Sequence, residues 1–296
     1  MLLLWASITQ AVPPPTTIIR YIPADRSELH STYYLELLRQ ALVASEDQFG
    51  PWQLRPVYAP AHQGRVLKLV ARGNINVMWT MTSVEREAEA RPIRIPLTAG
   101  LIGYRVLVVR HHQAPDFGGV TRLDQLARFR GVQGHDWPDL PILQANGLAV
   151  QAEGDLMAMY RFVHNGFCDY FARGVLEAWQ EQAFHRRPSL VVEDKLLLAY
   201  PTAMYFFVGK NNDLLANRIE VGLRRLLADG RFDDLLFGFP PHRQALQQAN
   251  ISQRRALPLT NPLAPTTLPL SETALWFSTE RYQRWLSRER SSHASN

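Results

Sequence analysis

The polar residues that could bind a ligand follow an apolar run in the first third of the chain. A strand is predicted at Ile75–Thr80, and it ends in the polar loop Thr82-Ser83-Val84-Glu85-Arg86. This order places hydroxyls, backbone N–H groups and a guanidinium together at the carboxyl end of a strand, where open α/β sheets bind ligands. A guanidinium matches the geometry of a carboxylate or phosphate better than a lysine ammonium does, because it can donate two parallel hydrogen bonds. We therefore expect a ligand site here. The hydroxyls of Thr80, Thr82 and Ser83 either contact the ligand or form hydrogen bonds within the turn.

Two further groups of residues are candidates for the same site. The turn Gly134-His135-Asp136-Trp137-Pro138-Asp139 should open a helix, with Asp136 or Asp139 as its cap. The N–H groups of a helix N-terminus are suited to an anion, and His135 is either a ligand contact or a polar loop residue. Trp79, at the end of the strand, either packs against an apolar part of the ligand or belongs to the core.

Several classes of site are excluded or weak. The chain of 296 residues has one cysteine, Cys168, so it has no intrachain disulfide and no cysteine-based zinc site. His111 and His112 are adjacent and cannot share one face of a helix or strand, so we predict no metal site and no cofactor. The sequence has no nucleophile elbow, no phosphate-binding loop and no dinucleotide fingerprint. The net charge of +5 comes almost wholly from scattered arginines, which does not indicate a nucleic-acid partner.

The first 15 residues are apolar and end in a proline run. Residues 2–8 are mostly leucine, tryptophan and isoleucine, and Val12-Pro13-Pro14-Pro15 stops any helix. This pattern is typical of the apolar part and cleavage site of a secretory signal, although the positive N-terminal region is missing. We therefore predict a signal segment at residues 1–15 and a periplasmic mature chain, with a frayed apolar end as the alternative.

The rest of the chain alternates between strand and helix patterns. Strands are predicted at Thr16–Tyr21 and Trp52–Tyr58, with an amphipathic helix at Ser31–Val43 between them. A strongly periodic helix is predicted at Leu214–Ala228, and a Pro-rich extended segment at Leu257–Leu270. This alternation predicts an α/β fold with doubly wound, mainly parallel sheets.

The order of several segments carries a more specific signal. The segments are Asn76–Arg86 with its final Glu-Arg pair, the extended runs near Ile93–Leu97 and Tyr104–Val109, Leu123–Leu126 followed by Gly131–Gly134, His164–Asp169, and Phe206–Leu215 followed by Leu226–Gly230. In this order they resemble the first and middle parts of the type II periplasmic solute-binding proteins of family 3, best known as amino-acid receptors. The resemblance covers roughly residues 16–237.

The resemblance implies a two-lobed periplasmic-binding-protein type II fold with two hinge strands. Lobe 1 would comprise residues 16–107 and 207–296, the latter with an extended C-terminal tail, and lobe 2 would comprise residues 108–206. A small anionic or amino-acid-like ligand would be captured between the lobes by hinge closure. In receptors of this family the arginine after the hydroxyl turn binds the ligand carboxylate, and Arg86 occupies that position. The partner would be an ABC transporter permease or a membrane sensor, and the protein would be a monomer.

One departure from the family bears on the ligand. In this family an acidic residue shortly after the segment that corresponds to His164–Asp169 holds the ligand ammonium. In this chain Arg173 occupies about that position. If Arg173 faces the cleft, an anionic ligand is favoured over a zwitterion, and if Glu177 turns inward, an ammonium partner is restored. In a third alternative Arg173 lies on the outer surface.

Two other functions remain open at this stage. One is a sensory or protein-interaction module, in which the C-terminal tail with Trp276 and Phe277 either packs on lobe 1 or docks a partner. The other is an enzyme resembling the periplasmic dehydratases of this fold, which would need an acid or base such as Glu177, Asp136 or His135. We predict a binding protein and no catalytic residue.

Overall fold

The computed structural model describes residues 15–23, 31–58, 62–185 and 187–294. Apart from Pro15, the predicted signal segment therefore lies outside the described residues. Within the described part of the chain, no helix combines the length and the hydrophobicity needed to cross a bilayer.

Twelve strands and thirteen α-helices are defined within these residues. The strands are β1 (Thr17–Tyr21), β2 (Trp52–Pro56), β3 (Val77–Met81), β4 (Arg91–Ile93), β5 (Tyr104–Arg110), β6 (Arg130–Gly134), β7 (Ala149–Glu153), β8 (Tyr170–Gly174), β9 (Leu190–Val192), β10 (Leu196–Ala199), β11 (Met204–Val208) and β12 (Arg255–Pro258). The helices are α1 (Ser31–Ala44), α2 (Glu46–Phe49), α3 (Gln63–Ala71), α4 (Val84–Glu89), α5 (Ala114–Gly118), α6 (Leu123–Leu126), α7 (Asp139–Ala145), α8 (Leu156–His164), α9 (Ala178–His185), α10 (Asp213–Asp229), α11 (Arg231–Gly238), α12 (Pro240–Ala249) and α13 (Thr279–Ala294).

The strands form two small sheets and one large one. β1 pairs with β2, β11 lies between β3 and β4, and the seven-stranded sheet has the order β12-β10-β5-β8-β6-β7 with β9 beside β5. The pairs β1–β2, β6–β7, β6–β8 and β10–β12 are parallel. β5 runs antiparallel to β8, β9 and β10, and β11 runs antiparallel to β3 and β4. We call the part built on β1–β4 and β11 lobe 1, and the part built on the seven-stranded sheet lobe 2.

The two small sheets lie side by side within lobe 1. The Asn76 N–H donates to the Arg20 carbonyl at 2.8 Å, and the Arg20 N–H donates to Asn76 Oδ1 at 2.8 Å, which joins β1 to the start of β3. The predicted stripe of α10, Leu215 to Leu226, is buried and packs on α1. The two helices approach so closely that a Cβ on Gly222 would lie 1.9 Å from the Ala41 carbonyl oxygen.

Residues 94–103 and 200–203 are two passages of the chain between the lobes, and the chain returns to the lobe 2 sheet once more at β12. The two passages contact each other, because the Tyr200 N–H donates to the Gly103 carbonyl at 3.2 Å and a Cβ on Gly103 would lie 2.2 Å from the Tyr200 carbonyl oxygen. The predicted boundaries at 107/108 and 206/207 fall inside β5 and β11. The division into lobes at those residues stays a prediction. According to the strand pairing, each passage ends a few residues before the corresponding predicted boundary.

The C-terminal quarter contains more regular structure than the sequence indicated. Helix α12 was not predicted, and β12 pairs with β10 of the large sheet. Trp276 and Phe277 are half-buried, the Phe277 N–H donates to the Ala99 carbonyl at 2.7 Å, and a Cβ on Gly100 would lie 2.4 Å from the Trp276 ring. The Trp276 side chain and the Phe277 backbone therefore contact the chain's own first passage between the lobes.

Candidate functional site

The guanidinium of Arg86 is buried between the two lobes. Its Nη1 donates to the Met81 carbonyl at 3.0 Å, to Gln63 Oε1 at 3.2 Å and to the Thr80 hydroxyl, all in lobe 1. Its Nη2 donates to the backbone carbonyl of Asp136 in lobe 2 at 2.8 Å. Arg86 thus bonds to both lobes through neutral oxygen atoms, and among the described residues no carboxylate forms an ion pair with it.

Burial without an ion-pair partner affects the protonation of Arg86. Burial lowers its pKa from its ordinary value to about 10, while the more distant charges of Asp136, Asp139 and Glu85 only partly offset the loss of hydration. The side chain is therefore still charged at neutral pH. An anion beside it would favour the charged form and raise the pKa again.

The local structure around Arg86 differs from the predicted loop. Residues 84–89 form helix α4, and the Ser83 hydroxyl caps it by accepting the Arg86 N–H at 3.2 Å. The Thr82 hydroxyl bonds to Glu87 Oε1 at 2.8 Å and the Ser83 hydroxyl to Glu85 Oε2 at 3.0 Å. The hydroxyls of Thr82 and Ser83 thus form local hydrogen bonds within the turn, which was the alternative to contacting a ligand. The Thr80 hydroxyl contacts the Arg86 guanidinium instead.

Trp79 lies on the core side of β3. Its ring stacks on Tyr34 with centroids 5.9 Å apart and meets the edge of Phe206 at 6.5 Å. This packing matches the core alternative for Trp79, with part of the ring still accessible.

The lobe 2 loop after β6 is fixed by packing rather than by a helix cap. A Cβ on Gly134 would lie 2.4 Å from the Trp137 ring, and that ring stacks on Phe171 at 6.4 Å. Helix α7 is preceded by Pro138 and has no side-chain cap, so the predicted cap by Asp136 or Asp139 is wrong. The Asp136 carboxylate instead accepts the Gly64 N–H of lobe 1 at 3.3 Å, and His135 is exposed on the same loop.

Arg173 forms ion pairs with two buried glutamates, Glu177 and Glu181. The Arg173 guanidinium donates to Glu181 at 2.8 and 2.5 Å and lies 3.0 Å from Glu177. Only 3% of Arg173 is exposed, so the alternative that places it on the outer surface is wrong. Its guanidinium also lies 4.8 Å from the centre of the Trp137 ring, a cation–π contact. Burial alone would lower the pKa of Arg173, but the two glutamates raise it above its ordinary value.

A second buried arginine, Arg105, connects this ion-pair network to the Arg86 site. Arg105 lies 2.7 Å from Asp139 and 3.5 Å from Glu177, and it donates to the Tyr200 hydroxyl at 3.0 Å. It also contacts Met81 Sδ at 3.8 Å, on the residue whose carbonyl binds Arg86. Burial alone would lower the pKa of Arg105, but Asp139, Tyr200 and Glu177 raise it above its ordinary value.

Sequence reasoning missed several residues of this region. Gln63, Arg105 and Tyr200 were not proposed, and Asp139 was considered only as a helix cap. Arg105 carried a usable signal, because a charged residue within the apolar strand Tyr104–Arg110 must find buried partners. Gln63 carried none, since it reaches Arg86 only through the packing of α3 on α4.

Most of the predicted site residues therefore lie around one region between the lobes. Arg86 and Thr80 bond to each other, and Arg86 bonds to Asp136. Trp137 links the loop of Asp136 to Arg173 and its glutamates. Thr82, Ser83 and Trp79 surround the lobe 1 side, where their polar or aromatic groups contact other parts of lobe 1.

Comparison with solved structures identifies proteins of the same fold. A binding component of an ABC transporter from Wolinella succinogenes, in complex with lysine, has a TM-score of 0.57 at 14% identity over 75% of this chain and 94% of that chain. A histidine kinase sensor domain similar to periplasmic binding proteins has a TM-score of 0.56 at 16% identity over 76% and 96%. An ancestral amino-acid-binding protein, a precursor of cyclohexadienyl dehydratase, has a TM-score of 0.55 at 12% identity over 76% and 94%.

These similarities concern the fold. No protein-family model matches the chain, and a search of curated protein sequences found no match. The structural neighbours include periplasmic amino-acid-binding proteins and substrate-binding proteins of ABC transporters, so the resemblance seen in the sequence is confirmed at the level of the fold. The chain has the two-lobed α/β fold of periplasmic binding proteins.

Proposed function

We propose that this chain is a solute-binding protein that captures a small carboxylate-bearing or otherwise anionic ligand between its two lobes. The observation that carries the proposal is the buried guanidinium of Arg86, which bonds to neutral oxygens of both lobes. A buried charge is costly unless an opposite charge is nearby. A ligand carboxylate beside Arg86 would supply that charge and could bind the planar fork in a bidentate manner.

The ion pairs of lobe 2 favour an anion over a zwitterionic amino acid. Glu177 and Glu181 are engaged by Arg173, and Asp139 is engaged by Arg105 and Tyr200. Each of these three acidic side chains is thus already paired with a buried arginine of the protein. Of the acidic residues that surround the Arg86 guanidinium in lobe 2, Asp136 is the one that has no ion pair among the described residues.

Ligand capture would proceed by hinge closure. The contacts of Arg86 and Gly64 with Asp136 join the two lobes at the site, and the two passages of the chain between the lobes would act as the hinge. A ligand that contacts both lobes only when they are closed shifts the population toward the closed state by that difference in affinity.

The fold supports a location in the periplasm and a membrane partner, with the ligand-loaded protein delivering its cargo to an ABC transporter permease. A sensory role is the second candidate, supported by the likeness to a histidine kinase sensor domain. Both roles use the same capture step, and they differ in the protein that recognises the closed form.

We propose a binding role rather than a catalytic one. The dehydratase-like alternative needs a general acid or base within reach of the substrate. Glu177, one of the three residues considered for that role, accepts the Gly174 N–H at 3.1 Å and pairs with Arg173 and Arg105, which supports a structural role for its carboxylate.

A thermal-shift screen of the full chain against amino acids, dicarboxylates, sugar acids and phosphorylated metabolites tests the proposal. A ligand present at 100 times its Kd stabilises the folded state by about 2.7 kcal/mol. Removing the bidentate partner of a carboxylate should cost at least about 3 kcal/mol, or more than 100-fold in Kd. At the same ligand concentration, Arg86→Ala should therefore retain about 0.4 kcal/mol of stabilisation or less.

Arg72→Ala is the matched control. Arg72 is exposed at the end of α3, so this variant loses the same positive charge away from the site and should respond to the ligand like the parent. If Arg86→Ala keeps the full thermal shift of the parent with every carboxylate that binds, the anchor role of Arg86 is wrong. A response to uncharged compounds alone would reject the anionic ligand class.

A further inference from the structure

Three potential metal ligands meet at the contact between the lobes. His62 precedes α3 in lobe 1, and His135 and Asp136 lie on the lobe 2 loop after β6. One ligand atom from each residue can be chosen such that all three lie within 4.8 Å of one another. The two imidazole rings meet edge to face with centroids 5.0 Å apart.

The donor set is typical of a transition-metal ion rather than of calcium or magnesium. Two imidazole nitrogens and one carboxylate oxygen suit Zn²⁺ and its neighbours, whereas Ca²⁺ and Mg²⁺ prefer oxygen ligands throughout. Bonds of about 2.0–2.2 Å to a tetrahedral Zn²⁺ would bring the three ligand atoms to about 3.4 Å from each other. The two histidines are exposed, so small rotations of their side chains can make up the difference from 4.8 Å.

The backbone around the cluster is fixed in both lobes. The His62 carbonyl accepts the N–H groups of Arg65 and Val66 at the start of α3, and the His135 N–H donates to the Glu153 carbonyl at 2.8 Å. The His135 ring lies over Gly154, where an added Cβ would be 3.4 Å from Nδ1.

Asp136 is oriented by two contacts from lobe 1. Its backbone carbonyl accepts Arg86 Nη2, and its Oδ2 accepts the Gly64 N–H at 3.3 Å. Hydrogen bonds of this kind hold a ligating carboxylate in position and strengthen metal binding. The other carboxylate oxygen, Oδ1, has no hydrogen-bond partner among the described residues. It is therefore the oxygen that can bind an ion.

We propose that His62, His135 and Asp136 form a binding site for a divalent transition-metal ion that bridges the two lobes. Three protein ligands leave a fourth position for water or for another ligand. Because one ligand comes from lobe 1 and two from lobe 2, the complete site exists only when the lobes are closed. The bound ion therefore stabilises the closed arrangement by the difference in its affinity for the two states. This inference does not depend on the identity of the anion at Arg86.

The test is a calorimetric titration of zinc chloride into the metal-free full chain, in a non-coordinating buffer without any carboxylate compound. The parent should bind one Zn²⁺ per chain. His62→Ala and His135→Ala should each weaken binding at least 10- to 100-fold, the loss that follows removal of even the outer hydrogen-bond partners of metal ligands. Asp136→Asn keeps the shape of the side chain but not its charge, and it should weaken binding by a similar factor.

The double variant His111→Ala/His112→Ala is the control. It removes two exposed histidines that are adjacent to each other in the sequence and are not part of the proposed site, so it should bind zinc like the parent. The proposal is overturned if the parent shows no saturable binding, or if the double variant loses it. Binding that needs His135 but not His62 would place the ion on lobe 2 alone and reject the bridge. Because the titration contains no carboxylate ligand, its failure would leave the proposal for Arg86 intact, and the reverse also holds.

Discussion

Replacing Glu181 with glutamine should destabilise the fold by about 3 kcal/mol. The Glu181 carboxylate is 1% exposed and accepts Arg173 Nε at 2.8 Å, Arg173 Nη2 at 2.5 Å and the Tyr160 hydroxyl at 3.0 Å. Glutamine has nearly the same shape, but it removes the negative charge and turns an NH₂ donor toward one of these donors. The change therefore tests the buried ion pair without creating a cavity.

The size of the effect follows from the burial and from the remaining partner. Breaking a buried ion pair by removing one member costs about 3–5 kcal/mol, because the other charge stays buried without full compensation. Glu177 remains 3.0 Å from Arg173 in the variant, so we expect the lower end of this range. At roughly 2 °C per kcal/mol for a chain of this size, the melting temperature should fall by about 6 °C.

The assay is thermal unfolding followed by circular dichroism, with Glu220→Gln measured in parallel. Glu220 pairs with Arg224 at 3.2 Å one helical turn away, and both side chains are about half exposed. Such a pair contributes about 0.5 kcal/mol or less, so the control should lose about 1 °C. Equal melting temperatures for the two variants would refute a structural role for the Arg173–Glu181 pair. It would also remove the argument that the acidic side chains of lobe 2 are unavailable to a ligand ammonium.

Two other predictions concern the anchor of the ligand and the packing of lobe 1. Carboxylate affinity should be constant from about pH 7 to 9 and fall about tenfold per pH unit above pH 10. The ligand binds the charged form of Arg86, and in the free protein burial lowers the pKa of this guanidinium to about 10, so the charged form becomes rarer above that pH. A bound anion raises that pKa, so the affinity is complete below the pKa of the free protein and is lost as the pH rises above it. Calorimetry at three pH values measures this, and an unchanged Kd at about pH 11 would contradict it. Gly222→Ala should cost at least about 2 kcal/mol in chemical denaturation, since its Cβ would lie 1.9 Å from the Ala41 carbonyl oxygen. Gly64→Ala, with nothing within 4 Å of the added Cβ, is the control and should change stability by less than about 1 kcal/mol.

Local signals located most elements but not all of their bounds. The predicted helix at Ser31–Val43 is observed at Ser31–Ala44, because its apolar residues follow the helical period over three turns. Helix α4 was predicted as a loop, although Ser83 followed by acidic residues in the next turn is a recognisable helix start. Helix α12 was missed because two prolines open it, and proline is accepted in the first turn of a helix.

The sequence by itself determined the class of fold and the position of Arg86 after a buried strand. Periodicity and chain order suffice for these, since they depend on neighbours within a few residues and on the sequence of elements. The tertiary structure alone decided the partners of the charged side chains. Arg173 and Glu181 are close in the sequence, only eight residues apart. Arg105, in contrast, contacts Asp139 and Tyr200 from distant parts of the chain. His62 contacts His135 across the two lobes. These contacts depend on how the helices and sheets pack and on the closure of one lobe on the other, and no local pattern in the sequence records that geometry.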